Sequence, residues 1–168
     1  GGGGGVVVSD GAGRRVLVVH ADGRAGPLDP ATPLRLPRGL AVHDHGQVTL
    51  ADASGQLLRW HPQRPSWALL AAKGDRAKPL GGGRWSRVAL AGPTGVAVDG
   101  AGNAFIADPA AHAVLVLRAG AGWLEVVAGD GVQGKRDGPG HRARFHAPYA
   151  LALEPHPPGS VERVLWVT

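Results

Sequence analysis

The sequence lacks cysteine and methionine entirely, and it has few aromatic side chains, with five Trp, two Phe and one Tyr in 168 residues. The missing cysteines exclude disulfides, cysteine zinc sites and thiol nucleophiles from these residues. No apolar run approaches the ~20 residues that a membrane-spanning helix needs, and no signal-peptide layout is present. The visible chain is therefore predicted to be a soluble segment, and nothing in it indicates a compartment.

Charge is unevenly distributed between the two basic residue types. The formal net charge is +5, and Arg outnumbers Lys by 15 to three. A basic surface can indicate a phosphate-bearing partner. The Arg excess, however, accompanies 28 Gly and 14 Pro, all of which GC-rich codons favour, and no dense basic run is present. We therefore rank base-composition drift on a solvated surface above nucleic-acid binding.

The segment 90–148 has the most regular pattern in the chain. It contains four short apolar runs, 96–98, 104–107, 113–117 and 123–128, which Gly, Asp, Asn and Pro separate. Runs of about five residues between turn formers are typical of antiparallel strands, and no 3.6-residue period persists long enough to predict a helix.

This pattern recurs along the chain at a fixed interval. Pro93-Thr94-Gly95 matches a Pro-x-Gly triplet 56 residues earlier and a Pro-x-Ala triplet 55 residues later, and an Ala-Asp pair recurs at the same 56-residue offset. The matching segments are Pro37-Arg38-Gly39, Pro148-Tyr149-Ala150, Ala51-Asp52 and Ala107-Asp108. One four-stranded unit per period predicts the blades of a β-propeller, each of which buries its faces against its neighbours.

The residues of the central repeat resemble the NHL repeat, a β-propeller family. The match follows P-x-G-[VL]-A-V-D-x-x-G-N-x-[FY]-[IV]-A-D and then a Gly-rich linker that ends in Phe and Pro. The matching residues are Pro93, Gly95, Val96, Ala97, Val98, Asp99, Gly102, Asn103, Ala107, Asp108, Ala128, Gly129, Gly131, Asp137, Gly138, Gly140, Ala143, Phe145 and Pro148. The preceding repeat departs from the pattern, with His43 in place of Asp99 and Gln47 in place of Asn103. The resemblance implies an all-β propeller of four-stranded antiparallel blades, six in number when complete.

The expected organisation is about three blades: a partial blade in 1–33, complete blades in 34–92 and 93–147, and the start of another in 148–168. The first hairpin, 6–8 with 16–19, is expected to parallel 96–107, so that the outer half of its blade is missing. Trp85 is expected to fill the junction between two blades, and Phe145 is expected to be the buried anchor that holds the last linker between blades. The missing methionine and the unfinished last repeat indicate a fragment. Because such a fragment leaves open blade edges, we expect it to oligomerise or aggregate, with the remaining blades needed for closure.

Binding sites of propellers usually gather at the mouth of the central channel. Linkers, the starts of innermost strands and the turns after second strands all open on that face. The candidate ligand-binding residues are therefore Arg38, Thr94, Tyr149, Asp52, Asp108, His112, Arg136, Arg142, Arg144 and His146.

Two enzymatic alternatives follow from related propellers. Gluconolactonase-like and regucalcin-like propellers hold a divalent cation with Asn, Asp and Glu, whereas this chain places Arg38, Thr94 and Tyr149 at the corresponding Pro-x-Gly positions. Asp52 and Asp108 are the remaining candidate ligands, but at the Ala-Asp position a carboxylate can instead accept turn amides. A lyase-type zinc site would use His, yet His43-Asp44-His45 is predicted to lie in a turn on the opposite face. No catalytic residue, metal site or cofactor is assigned.

A binding module is the favoured function. The resemblance implies a rigid scaffold for protein–protein interaction through the mouth face, with RNA or an acidic ligand on a basic face as the alternative. RNA recognition also calls for exposed aromatic side chains, and Tyr149 is the one obvious candidate. A protein partner is therefore expected.

Overall fold

The structure is a computed structural model that describes residues 5–32, 34–43, 45–80, 86–154 and 164–168. Trp85, Asp44 and the Pro-rich stretch 155–160 lie outside these residues. The described chain is built from short β-strands, with one turn of 3₁₀ helix at Gly140–Arg142. Within the described ranges, no helix is long and apolar enough to cross a membrane.

The strands form separate small antiparallel sheets, and we call each sheet a blade. Blade 1 has three strands in the order β1-β2-β3: Gly5–Asp10 (β1), Arg15–His20 (β2) and Ala25–Pro27 (β3). Blade 2 has four strands in chain order: Pro37–Val42 (β4), Val48–Asp52 (β5), Gln56–His61 (β6) and Arg64–Ala72 (β7). Pro65 lies inside β7 and is exposed. Because β7 is the outermost strand, proline's lack of an amide hydrogen does not break a hydrogen bond in the centre of the sheet.

Blade 3 adds an unexpected fifth strand to the same plan. After Ala77–Pro79 (β8), the blade runs Gly95–Val98 (β9), Ala104–Asp108 (β10), Ala113–Leu117 (β11) and Leu124–Ala128 (β12). The short strand β8 comes from the crossing between blades 2 and 3 and pairs in parallel with β12. Lys78 of β8 stacks over the Trp123 ring, 4.4 Å from its centroid, which holds the two strands together from the side. Blade 4 is a pair, Leu151–Leu153 (β13) and Leu165–Val167 (β14).

The four blades follow one another around a common axis. The innermost strands β4, β9 and β13 lie side by side, and β1 lies beside β4. Apolar side chains fill the spaces between successive blades. Blades 2 and 3 enclose a cluster that includes Ala51, Leu57, Ile106 and Leu115, all fully buried. This is the all-β blade architecture that the sequence predicts. The division of the chain into blade segments 1–33, 34–92, 93–147 and 148–168 stays a prediction.

Blade 1 differs from its expected strand assignment. Asp10 ends β1 as Asp52 ends β5 and Asp108 ends β10. The hairpin β1–β2 therefore corresponds to the second and third strands of a blade, not to the first and second. The expectation that this hairpin parallels 96–107 and lacks its outer half is wrong: the outer strands are present, and no described strand lies inside β1.

The turn between the first two strands of blade 3 explains the Asp and Asn of the repeat. The Asp99 carboxylate accepts the amides of Ala101 and Asn103, and the Asn103 side chain donates to Asp99 Oδ2 at 2.8 Å. Both turns also close through the backbone, because the Asp99 amide donates to the Asn103 carbonyl at 3.1 Å and the His43 amide donates to the Gln47 carbonyl at 2.8 Å. The departures from the repeat at these positions therefore change the turn chemistry but not the strand pairing.

The glycine of Pro-x-Gly lets neighbouring innermost strands approach closely. A Cβ on Gly95 would lie 2.8 Å from the Tyr149 carbonyl oxygen and 3.0 Å from Ala150 Cα, and a Cβ on Gly39 would collide with the Thr94 carbonyl. Ala150 takes the third equivalent position, where its side chain is exposed. This position is therefore glycine in Gly39 and Gly95, where the next described blade packs closely, and alanine in Ala150, where none does.

We expect Gly95→Ala to lower the free energy of unfolding by about 1–3 kcal/mol, because the added methyl overpacks the contact between β9 and β13. Urea denaturation measures the change. The matched control is Gly100→Ala, whose methyl would meet nothing within 4 Å. If both variants unfolded at the same urea concentration, the close approach would not constrain this position.

Candidate functional site

The mouth of the blade array is formed where innermost strands begin and second strands end. Arg38 and Thr94 stand at the starts of β4 and β9, Tyr149 precedes β13, and Ser9 stands at the end of β1. An open groove of about 390 Å³ runs between them. Residues from all four blades line it: Ser9, Gly11, Pro37, Arg38, Gly39, Thr94, Gly95, Val96, Tyr149, Ala150 and Leu151. We call this the mouth groove.

Hydrogen bonds connect the blades beneath the mouth groove. The Ser9 hydroxyl donates to the Arg38 carbonyl at 2.5 Å, and the Gly39 amide donates to the Thr94 carbonyl at 2.7 Å. The Thr94 hydroxyl in turn donates to the Tyr149 carbonyl at 2.7 Å. Thr94 is buried, so its side chain links blades 3 and 4 and is not presented to a ligand.

Arg38 and Tyr149 present their side chains to the groove. Tyr149 is 54% exposed, and Arg38 is exposed as well. In the part of the chain that the structure describes, the Arg38 guanidinium belongs to no ion pair. The groove therefore offers one free cation and one aromatic ring.

Asp52 and Asp108 have a structural role in the described contacts. Asp108 is fully buried and accepts the amides of Ala91 at 2.7 Å and Gly92 at 3.0 Å, upstream of its own blade. It also accepts the Ala111 amide at 3.0 Å in the turn that follows. Asp52, also fully buried, accepts the Arg35, Leu36 and Ser54 amides, each at 2.9 Å. Both carboxylates thus clamp the entering chain to the end of the second strand.

Burial and hydrogen bonding have opposite effects on the pKa of Asp52. Burial is the largest single influence and raises the pKa of Asp52, but the hydrogen bonds from Ser54, Leu36 and Arg35 together leave that pKa below its ordinary value. Because amides that donate to a carboxylate favour its charged form, Asp52 is an anion near neutral pH with its oxygens occupied.

The long linker between blades 3 and 4 is held by a carboxylate that sequence reasoning missed. Asp130 Oδ2 accepts Arg144 Nε at 2.8 Å and Arg136 at 3.4 Å, and Arg136 Nε also donates to the Arg142 carbonyl at 2.7 Å. The hydrogen bond from Arg144 lowers the pKa of Asp130. Asp130 directly follows the Ala-Gly pair at the start of the linker, which could have identified it. Arg136 and Arg144 are therefore partly neutralised, whereas Arg142 is exposed.

The linker forms a second hollow, distinct from the mouth groove. It has a volume of about 670 Å³ and no lining residue in common with the groove. Its lining includes Lys135, Arg136, Arg144, Phe145 and His146. The side chain most buried in this stretch is Ala143, at 8% exposure, whereas Phe145 is half-buried. Phe145 lines the hollow and is not the buried anchor that the sequence predicts; Ala143 is more fully buried.

His112 and His146 meet at the rim. Their rings lie edge to face with centroids 6.4 Å apart, His112 Nδ1 accepts the Ala147 amide at 3.3 Å, and His146 Nε2 lies 2.9 Å from the Gln133 side-chain amide. On the opposite face, His43 Nε2 is 2.7 Å from the Thr49 hydroxyl. Across the described ranges, no three His, Cys, Asp or Glu side chains are grouped closely enough to hold a metal ion.

The ten candidate residues are thus separated into three groups. Arg38, Thr94 and Tyr149 meet at the mouth groove, and Asp52 and Asp108 are buried beneath it. The remaining five, His112, Arg136, Arg142, Arg144 and His146, belong to the linker and its rim.

We expect Asp108→Ala to lower the free energy of unfolding by at least about 3 kcal/mol, because three amides lose their acceptor and each unsatisfied buried group costs about 1–3 kcal/mol. Asp137→Ala is the control, since Asp137 is exposed and has no hydrogen bond within the described residues. Denaturation and elemental analysis of both variants test this. Calcium or zinc bound by the unmodified protein and lost only from Asp108→Ala would instead make Asp108 a metal ligand.

Solved structures of other proteins resemble this chain in fold, and two of them illustrate the likeness. A streptogramin B lyase shares 13% identity with a TM-score of 0.60, over 88% of this chain and 41% of its own. An auxiliary nutrient binding protein from Bacteroides thetaiotaomicron VPI-5482 shares 18% identity with a TM-score of 0.66, over 91% of this chain and 36% of its own. The chain therefore spans less than half the length of either protein. No family model and no curated protein matches the chain. At these identities the likeness shows the fold, which is part of a β-propeller.

Proposed function

We propose that this β-propeller segment is a rigid binding scaffold whose mouth groove takes an acidic segment of a partner protein. The observation that supports this is the groove itself, in which blades 1 to 4 together present Arg38 and the exposed Tyr149. Its NHL-type character, which rests on the motif residues 93–148, is part of the same proposal.

Charge favours an acidic partner. No carboxylate residue lines the groove. Asp52 and Asp108 are buried on backbone amides, and Asp10, between the lining residues Ser9 and Gly11, is paired with Arg15. Arg38 keeps its charge exposed, and an arginine fork can bind a carboxylate through two parallel hydrogen bonds. The free charge that the groove lining offers to a ligand is therefore positive.

Rigidity favours binding without rearrangement. The hydrogen bonds through Ser9, Gly39 and Thr94 fix the spacing of the innermost strands, so the distance across the groove is set before a ligand arrives. A preorganised surface avoids part of the ordering cost of association. The exposed Tyr149 ring adds apolar area with one hydroxyl for hydrogen bonding.

The arrangement favours binding over metal-dependent hydrolysis or lyase chemistry. The oxygens of Asp52 and Asp108 accept backbone amides, and the exposed Arg38 of the groove repels a cation. The fold does not decide the matter, because one structural neighbour is a lyase and another is a nutrient binding protein. RNA is the weaker binding alternative, since Tyr149 is the one aromatic residue that lines the groove.

A synthetic octaglutamate peptide that carries a fluorophore tests the proposal. We expect saturable binding that weakens as salt rises, because the ions screen Arg38 and the peptide carboxylates from each other. Arg38→Ala and Tyr149→Ala are each expected to weaken binding by about three- to tenfold, the range for loss of one charged or aromatic contact. Fluorescence anisotropy measures the affinity.

Arg64→Ala is the matched control because Arg64 is exposed at the start of β7, on the face opposite to the mouth. It should bind the peptide as the unmodified protein does. Equal losses in Arg38→Ala and Arg64→Ala would show attraction to the net charge alone, and preferential binding of an octauridylate probe would favour RNA. Either result contradicts a groove specific for an acidic protein segment.

A further inference from the structure

We propose that Arg14 is a second ligand contact of the mouth groove, and that it binds a carboxylate of the acidic segment where that segment leaves the groove over blade 1. Arg14 belongs to residues 11–14, which join β1 to β2 and which we call the blade 1 turn. This contact rests on the function proposed above and adds to it a second charged position along the path of the ligand.

The turn that follows the second strand ends in a left-handed residue in each of the first three blades. These residues directly precede the third strand, and they are Arg14, Gly55 and His112, with φ of 53°, 105° and 50°. Glycine adopts this conformation without a steric penalty, whereas other residues are strained in it, and His tolerates it better than Arg does. Arg14 is therefore strained at a position where blade 2 has glycine.

Local contacts account for Gly55 and His112 but not for Arg14. A Cβ on Gly55 would lie 2.6 Å from the Lys73 Cβ, so blade 2 has no room for a side chain there. His112 Nδ1 accepts the Ala147 amide at 3.3 Å and thereby holds the linker to blade 4. Arg14 is exposed, and among the described residues its guanidinium belongs to no ion pair. A strained residue that its own contacts do not explain indicates a functional constraint.

The blade 1 turn lies against the strand that carries Arg38. Gly11 of this turn lines the mouth groove, and a Cβ on it would lie 3.2 Å from the Pro37 carbonyl oxygen. Arg14 is three residues beyond Gly11, and three residues of extended chain span at most about 11 Å. An acidic segment that occupies the groove at Arg38 therefore reaches Arg14 within a few residues.

Charge in the blade 1 turn favours the same ligand. Asp10, which precedes the turn, accepts the Gly13 amide at 2.8 Å and pairs with Arg15 at 3.1 Å. Because Arg15 offsets the charge of Asp10, the charge of Arg14 is available to a ligand. Each guanidinium can bind a carboxylate through two parallel hydrogen bonds. Arg14 and Arg38 together thus fit a partner segment with two acidic residues that are separated by a few positions.

Binding and stability measured on one variant test this proposal. Arg14→Gly removes the charge and relieves the strained backbone. We expect it to weaken binding of the fluorescent octaglutamate peptide by about three- to tenfold. We also expect its melting temperature to stay unchanged or to rise, because glycine is unstrained at positive φ. Fluorescence anisotropy measures the affinity, and circular dichroism during heating measures the melting temperature. Weaker binding without lower stability cannot arise from a variant that fails to fold.

Arg64→Ala is again the control, because it removes one charge from the face opposite to the mouth. Equal losses in Arg14→Gly and Arg64→Ala would show attraction to the net charge alone and would overturn the contact. Binding that Arg38→Ala weakens and Arg14→Gly does not would also overturn it, while the mouth groove would remain the binding site. A lower melting temperature for Arg14→Gly would give Arg14 a structural role and overturn the contact as well. If the unmodified protein does not bind the peptide, the proposed function fails and the contact fails with it.

Discussion

The structure depends on a buried carboxylate at the end of the second strand of each complete blade. Asp52 and Asp108 each bind two amides of the chain that enters the blade and at least one amide of the turn that leaves the strand. An interaction between an anion and several amides is charge-assisted and hard to replace, because each amide would otherwise be buried without a partner. This clamp fixes where the innermost strand starts, and the start of that strand positions everything at the mouth.

From that fixed start, the Pro-x-Gly triplet determines how closely successive blades approach. Gly39 and Gly95 leave room for the neighbouring strand, and Thr94 uses its hydroxyl to bond the next blade. The variable residue of each triplet then has one of two roles. The Thr94 side chain is buried in the contact between blades 3 and 4, whereas Arg38 and Tyr149 are exposed to solvent. A single repeat motif can therefore hold the ring together at one blade and supply ligand contacts at another.

Much of the fold is predictable from the sequence because turns and burial both leave periodic signals. The 56-residue repeat and the short apolar runs predict the strands of blades 2 and 3, since a buried antiparallel strand needs apolar residues between turn formers. The strand assignment of blade 1 fails because Val6 to Val8 resemble any inner strand, and Asp10 is the one residue that identifies the true register. The short strand β8 is also missed, because three residues held by parallel pairing to β12 and a Lys78–Trp123 stack have no local pattern.

The candidate site is predictable in place but not in detail. The repeat positions predict that Arg38, Thr94 and Tyr149 share one face, and they line one groove. The alternative roles of Asp52 and Asp108 as ligands or as turn acceptors depend on hydrogen-bond geometry that spacing alone does not contain. Likewise, the sequence does not indicate that Arg136 and Arg144 share Asp130, because these contacts join residues 6 and 14 apart through a loop without regular structure.

The central claim, that buried carboxylates clamp the chain as it enters each blade, is tested most directly by hydrogen exchange measured by NMR at single amides. Ala91 and Gly92 lie outside the strands and donate to the Asp108 carboxylate. The account predicts that their amides exchange as slowly as those of the central strand β10, because opening them requires the clamp to break. Exchange as fast as at the exposed turn residue Gly100 would contradict it and would show that the carboxylate does not hold the entering chain.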